Sequence, residues 1–381
     1  MRNRDSEGAQ ASRVLPYLEG RRGGQTAPRL FSSTRIEDWL ARAPIVVTEG
    51  PERGGVVGWL DEDDVAPFVY GEASGYYLTF LTWLARETGI SFTTWARREA
   101  VLGWCRRWTQ GNRVPPTRCI LDGYAADWRN GFQFSFDLAM VLRGLVHAGC
   151  ESPARSLLAY LCRFVSPAGT LRVALPLNKD CADVHHWSVE PGPCQLKTAA
   201  AILSASDFGI PEALRVAVGR SIDCWRRTTD PSGEAHPFLY FIEGLILCGY
   251  YLGDRSLWRT AAETYARLLD HQTADCGLPA SVPDSGSVQG SDVIAQALRI
   301  GCLLRHLGHL KPYFDTRLEG LASALDRFLL ADGAVSFLDP RLAARTHRNT
   351  WCAMFAHQAY CLYGRFLRGA AMPASFLDVM V

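Results

Sequence analysis

The chain's 381 residues are 48% hydrophobic and 21% charged, a globular composition that argues against a disordered or membrane-embedded chain. A formal net charge of +1 removes the electrostatic case for nucleic acid or an anionic membrane as partner. No apolar run reaches the roughly 18–20 residues that span a bilayer. The basic start MRNRDSEGAQASR is followed by no apolar segment, so it reads as no secretory signal and a cytoplasmic location is expected.

In chain order, residues 1–30 are rich in Gly, Arg and Ser and read as a loose segment. A single domain is expected over 31–367, and 368–381 as a C-terminal tail packed on the surface. Strongly apolar helices are expected at 73–88, 133–148, 193–206, 236–252, 291–307 and 349–367. Most are apolar nearly all the way round, the pattern of a buried helix. Amphipathic, Arg-rich helices alternate with them at 91–109, 151–165, 211–228, 255–271 and 315–330, and their polar stripes suit an outer layer. The apolar helices begin near residues 73, 133, 193, 236, 291 and 349, mostly 55–60 residues apart, a long regular period that signals repeat architecture. Glycine-containing segments TQGNRV, SPAGTL, DPSGEA, TADCGLP and ADGAVSF follow the outer helices and read as turns or small hairpins. The pattern predicts an all-α (α/α)6 toroid, a barrel of helical hairpins. Its sixth outer helix is either the N-terminal IEDWLARA or missing.

In such a toroid the inner helices run parallel, so residues at their starts converge on one mouth. Those residues are Glu72, Asp137, Gln195 with Lys197, His236 with Tyr240 and Glu243, Asp292 with Gln296, and Asn349 with Trp351. Tyr76 lies one turn in, and preceding loops add Tyr124, Asp127, Trp128, His185, His186 and Trp187. Carboxylates, histidines, amides and aromatic rings in one cavity suit a small molecule, with rings to stack on sugars and carboxyls to act as acid and base. Capping and the helix dipole favour Asp and Glu in any first turn, so each carboxylate has a purely structural reading beside this one. His236, followed by Pro237, is equally a plain cap.

Twelve scattered cysteines read as small buried hydrophobes rather than a disulfide framework. Cys181, His185, His186 and Cys194 form Cys-x3-His-His-x7-Cys, a spacing that matches no standard zinc module, and no metal or other cofactor is expected. Only three of the 40 basic residues are lysines: Lys179, Lys197 and Lys311.

YGEASGYYLTFL (70–81) and FSFDLAMVLRGL (134–145) resemble the α/α-toroid proteins of glycan pathways, which include six-hairpin glycosidase-like enzymes. The arrangement is also similar to the prenyltransferase and squalene-cyclase repeat proteins. The resemblance implies that Glu72 and Asp137 line the cavity, with Asp292 a third candidate. No family catalytic signature is complete, so the reaction does not transfer. The expectation is a carbohydrate-active enzyme acting on a small-molecule or oligosaccharide substrate by hydrolysis, or by epimerisation or elimination on a uronate-like sugar. Glu72, Asp137 and Asp292 would be its acid/base groups and His236 a polar partner. Tyr76, Trp128, His185, His186, Trp187, Lys197, Tyr240, Glu243, Gln296, Asn349 and Trp351 would contact substrate. The alternatives are an isoprenoid cyclase-like enzyme using the acidic DEDDVA (61–66), and a non-catalytic glycan- or protein-binding toroid.

Overall fold

The structure, a computed structural model, describes residues 26–89, 92–110, 117–121, 123–177, 184–283, 289–343, 345–373 and 375–381. Along the chain run α1 (Thr26–Arg42), α2 (Gly71–Thr88), α3 (Phe92–Trp108), α4 (Ser135–His147), α5 (Glu151–Leu161) and α6 (Gln195–Leu203). They are followed by α7 (Glu212–Trp225), α8 (Ala235–Leu252), α9 (Arg255–Leu269), α10 (Ser291–His306), α11 (Asp315–Leu325) and α12 (Thr350–Leu367). The even-numbered helices form the inner ring, each packed on the next, and α12 closes the ring against α2. The protein is an all-α (α/α)6 toroid.

Sequence pattern explains the two layers. α8 buries residues on every side, from Phe238 and Tyr240 through Leu245 to Cys248, because it is covered by both ring neighbours and by an outer helix. α9 buries Leu257, Ala261, Tyr265, Leu268 and Leu269 on one stripe and leaves Arg259, Glu263 and Arg267 in water. The sixth outer helix is α1, which packs on α12 with Ile36, Trp39 and Leu40 buried. Tyr77 of α2 donates a hydrogen bond to the Leu40 carbonyl at 2.9 Å, securing this helix to the ring. Of the expected loose N-terminal segment, residues 1–25 lie outside the described residues, and the rest belongs to α1.

Short antiparallel strand pairs stitch the repeats together at the mouth. β1 (Trp59–Leu60) and β2 (Phe68–Tyr70) precede α2, and β3 (Arg118–Ile120) follows α3. β4 (Phe132–Phe134) leads into α4, β5 (Ala174–Pro176) follows α5, β6 (Gly233–Glu234) leads into α8, β7 (Ser281–Val282) follows α9, and β8 (Arg348–Asn349) leads into α12. The pairs are β2–β3 with Val69 opposite Cys119, β4–β5 with Gln133 opposite Leu175, and β6–β7 with Glu234 opposite Ser281. β1 pairs with β8, Trp59 opposite Asn349, and so joins the first repeat to the last.

The far end of the ring is closed by the C-terminal segment, which corrects the expectation of a surface tail. α13 (Ser375–Asp378) leads into Val379, Met380 and Val381, all fully buried. The buried Arg143 of α4 donates to the carbonyls of Leu377 (3.3 Å) and Asp378 (2.9 Å), and Tyr251 of α8 donates to the Asp378 carboxylate at 2.8 Å. Gln358 of α12 donates to the Val379 carbonyl at 2.9 Å. Six helix ends enclose apolar space that must be filled, and the segment's short apolar finish fills it.

Where α2 meets α4 the backbones touch. A Cβ on Gly75 would stand 2.4 Å from the Met140 carbonyl, and one on Gly144 would stand 2.6 Å from the Gly75 carbonyl oxygen. Gly75→Ala is therefore expected to destabilise the fold by about 1–3 kcal/mol in urea unfolding, because the ring cannot open locally. Gly103→Ala on α3 is the control. Its Cβ would meet only the end of the Arg107 side chain at 3.7 Å, so the change should be neutral or slightly stabilising.

Candidate active site

The mouth opens into a cavity of about 500 Å³ to which every inner helix contributes from its first turn: Glu72, Asp137, Gln195, His236, Asp292 and Trp351. The strands and loops before those helices add aromatic walls from Trp59, Tyr70, Phe134, Trp187 and Phe337. The helix starts also direct unpaired backbone N–H groups toward this end, an environment that tolerates negative charge.

Two carboxyls lie together on the floor. Glu72 is 8% exposed and accepts a hydrogen bond from the Tyr240 hydroxyl at 3.4 Å, with Tyr70 as a second phenol partner. Burial raises its pKa, opposed first by the Tyr70 hydrogen bond. Asp137 is 4% exposed, and its Oδ2 is buried with no protein partner. Burial holds the Asp137 carboxyl well above its ordinary value, and the neighbouring Glu72 charge pushes it further. Both carboxyls are thus held above their ordinary values, Asp137 the more strongly, and the two are coupled in losing their protons. Arg118 of β3 stands beside them, 4.4 Å from the centroid of the Phe68 ring, and is paired with Asp127 at 3.1 Å.

Across the cavity His236 and Asp292 form a second pair, with Nδ1 and Oδ2 2.7 Å apart. The Asp292 carboxylate accepts a hydrogen bond from Nδ1–H and so orients the ring, with Nε2 on its other side. Gln296, on the next turn of α10, reaches the same Nδ1 at 3.0 Å. His347 completes the wall, stacked on Phe337 with ring centroids 5.0 Å apart and lying 4.7 Å from Trp59. Burial brings its pKa down to about 4, so the imidazole is neutral. Its Nε2 lies 3.3 Å from the Asn349 amide nitrogen, and the Asn349 oxygen is already taken by the Cys352 N–H. The imidazole must therefore accept at Nε2 and carry its proton on Nδ1. His186, its pKa lowered by burial, bonds Ser188 Oγ at 2.8 Å.

Of the residues expected at the mouth, Glu72, Asp137, Gln195, Asp292, His236, His186, Trp187, Tyr240 and Trp351 line the cavity. The others stand elsewhere, for identifiable reasons. Tyr76, Lys197 and Glu243 lie deeper along their helices and are buried below the floor. Gln296 is buried beneath His236, and Asn349 is the N-cap of α12. Trp128 packs on the His186 ring, 5.3 Å between centroids, and His185 points into solvent beside Glu190. Tyr240 is less a stacking wall than a phenol donor, its ring covered by Phe136 at 4.8 Å. His347, Arg118 and Trp59 escaped the sequence reading because they sit on strands and returning hairpins, outside the first helical turns.

Cys181 of the cysteine–histidine motif lies outside the described residues. Among the described residues no cluster of His, Cys, Asp and Glu could hold a metal ion. The acidic DEDDVA is a solvent-facing turn away from the cavity: Asp61 accepts from the N–H groups of Asp63 and Val65, and Asp64 pairs with Arg348 at 2.8 Å.

No protein-family model matches the chain, and no curated protein matches it in sequence. Solved structures do. A sugar epimerase from a ruminal bacterium matches with TM-score 0.69 at 11% identity, covering 91% of this chain and all of that one. A D-mannose isomerase matches with TM-score 0.66 at 13% identity, over 93% of this chain and 100% of its own. An unsaturated glucuronyl hydrolase specific for heparin matches with TM-score 0.61 at 11% identity, over 89% and 96%. At these identities the likeness is one of fold, shared end to end.

A raised folded-state pKa at Asp137 means that the folded protein binds a proton the unfolded chain releases. Its contribution to stability is full below the ordinary carboxyl value of 3.8 and is lost as pH rises toward neutrality. Asp137→Asn is therefore expected to raise Tm at pH 7, with the gain vanishing toward pH 4 in a calorimetric series.

Proposed function

We propose that the chain is a carbohydrate-active enzyme performing acid/base chemistry on a small sugar or the terminal unit of an oligosaccharide. The observation that carries this reading is the Glu72–Asp137 pair, two neighbouring buried carboxyls on the floor of an aromatic-walled cavity, both raised by burial and Asp137 raised further by the Glu72 charge. Asp137 donates its proton to the oxygen of a departing sugar, and Glu72 attacks the sugar carbon or activates water against it. The buried, unpartnered Asp137 Oδ2 gains its hydrogen-bond partner when substrate enters. Arg118 and Arg129, which share the carboxylate of Asp127 at 3.1 and 2.8 Å, both line the cavity and offer guanidinium donors to an acidic sugar. The same fold in a heparin-specific unsaturated glucuronyl hydrolase supports this branch.

One observation favours a second branch. The His236–Asp292 pair presents an oriented imidazole base, suited to removing a proton from a carbon beside a sugar carbonyl. The likeness of fold to a sugar epimerase and to D-mannose isomerase supports epimerisation or isomerisation. The isoprenoid alternative loses its acid, since DEDDVA does not line the cavity. No helix among the described residues is long and apolar enough to cross a membrane. Free thiols at the described cysteines suit the reducing cytoplasm in which we place the protein.

A panel of neutral and acidic mono- and oligosaccharides, followed by proton NMR in deuterated water, tests both branches. Glu72→Gln and Asp137→Asn are each expected to lower turnover by about 10²–10⁴-fold. Full activity in both variants on a turned-over sugar rejects the carboxyl mechanism. Deuterium entering a carbon-bound position, and lost in His236→Asn, selects the epimerase branch. In a thermal-shift screen a true ligand at 100 times its Kd should stabilise the protein by about 2.7 kcal/mol.

A further inference from the structure

Beneath the cavity floor lies a buried polar cluster that the proposed chemistry does not consume. Lys197 of α6 is fully buried, its Nζ 3.2 and 3.3 Å from the two carboxylate oxygens of Glu243 and 3.4 Å from the Val381 carbonyl oxygen. Arg299 of α10 holds the same Glu243 at 2.7 Å. The remaining sides of the lysine are aromatic, with Nζ 4.2 Å from the centre of the Tyr240 ring and 4.8 Å from that of Tyr76. Those two phenols are joined: the Tyr76 hydroxyl donates to that of Tyr240 at 3.2 Å, and Tyr240 in turn donates to Glu72 at 3.4 Å. A compact ammonium with three donors fits a site with a carboxylate on one side and ring faces on the others. It is one of three lysines in a chain whose other basic side chains are arginines.

We propose that Lys197 is a positioning residue for Glu72: its ammonium, anchored by Glu243 between the rings of Tyr76 and Tyr240, fixes the two phenols whose hydroxyls run in series to the Glu72 carboxylate. The inference rests on the acid/base reading of Glu72. Besides Tyr240, the ionisable groups facing Glu72 are Tyr70 of β2, Asp137 of α4, Arg118 of β3 and His236 of α8. Those facing Lys197 are Glu243, Arg299 and Arg143, and burial draws its own pKa down to about 7. Removing the ammonium leaves all of these in place, and Glu243 keeps its Arg299 partner. The Glu72 carboxylate then loses a nearby cation and the alignment of its phenol donor. Both losses make it a weaker acid.

Carbon NMR of protein labelled at the glutamate carboxyl carbons gives the Glu72 titration directly, with Glu72→Gln assigning the signal. Lys197→Met is expected to raise the Glu72 midpoint by about half a pH unit or more, roughly a threefold or greater fall in its ionisation constant. Tyr76→Phe keeps the ring and removes only the first hydroxyl of the series, so a smaller rise in the same direction is expected. Circular dichroism and Tm report whether each variant is folded. An unmoved midpoint in folded Lys197→Met overturns the proposal. If that variant does not fold, an unmoved midpoint in Tyr76→Phe does so instead. The titration needs no substrate, so a protein inert toward every sugar that still shows these shifts loses the functional reading and keeps the network. An active enzyme with unmoved midpoints does the reverse.

Discussion

Closure of the inner ring is the constraint on which the rest depends. Each of the six buried helices is separated from the next by an outer helix that returns the chain, so they run parallel around an axis, and they approach closely enough for α12 to meet α2. At the α2–α4 contact that closeness is bought with Gly75 and Gly144, whose backbones meet where any side chain would intrude. Parallel packing then sends every helix N-terminus to one end. The first turns, with their unpaired N–H groups and positive dipole ends, must form the wall of a common cavity. The other end is left as a hole between helix C-termini, and Val379–Val381 fill it, held by Arg143 and Gln358.

Burial next sets the chemistry. The same removal from water acts in opposite directions on acids and bases, raising Asp137 and Glu72 and lowering His347 and His186. One cavity thus holds carboxyls made weaker acids and imidazoles made weaker bases, so their proton affinities are drawn toward one another. Fixed neighbours rather than flexible loops orient these groups: Tyr70 and Tyr240 on Glu72, Asp292 on His236, Asn349 on His347.

Much of this was legible in the chain itself. The long period of apolar helices foretold six inner elements, and the IEDWLARA segment does supply the outer partner of α12. Of the glycine segments, SPAGTL and TADCGLP lead into β5 and β7 and DPSGEA contains β6, all paired near the mouth, while most of TQGNRV lies outside the described residues. The first-turn rule also located one cavity residue on each inner helix. It overreached at Tyr76 and Glu243, which lie one to two turns further in, and at Lys197, two residues after Gln195; all three sit below the floor rather than on it. A step of one helical turn moves a residue about 5.4 Å along the axis, enough to pass from wall to core.

What the sequence determined by itself was the alternation of wholly apolar and half-apolar helices, and with it the toroid, the parallel inner layer and the end at which polar first turns gather. Periodicity of burial is a local property and can be read residue by residue. Tertiary structure alone decided which of those polar groups meet. Glu72 and Asp137 are 65 positions apart in the sequence, and His236 and Asp292 are 56 apart. Pairing across such distances depends on ring closure and on the rotation of each helix about its axis. Neither is written in the spacing of any one segment, because both are set by how all six helices fill the same space.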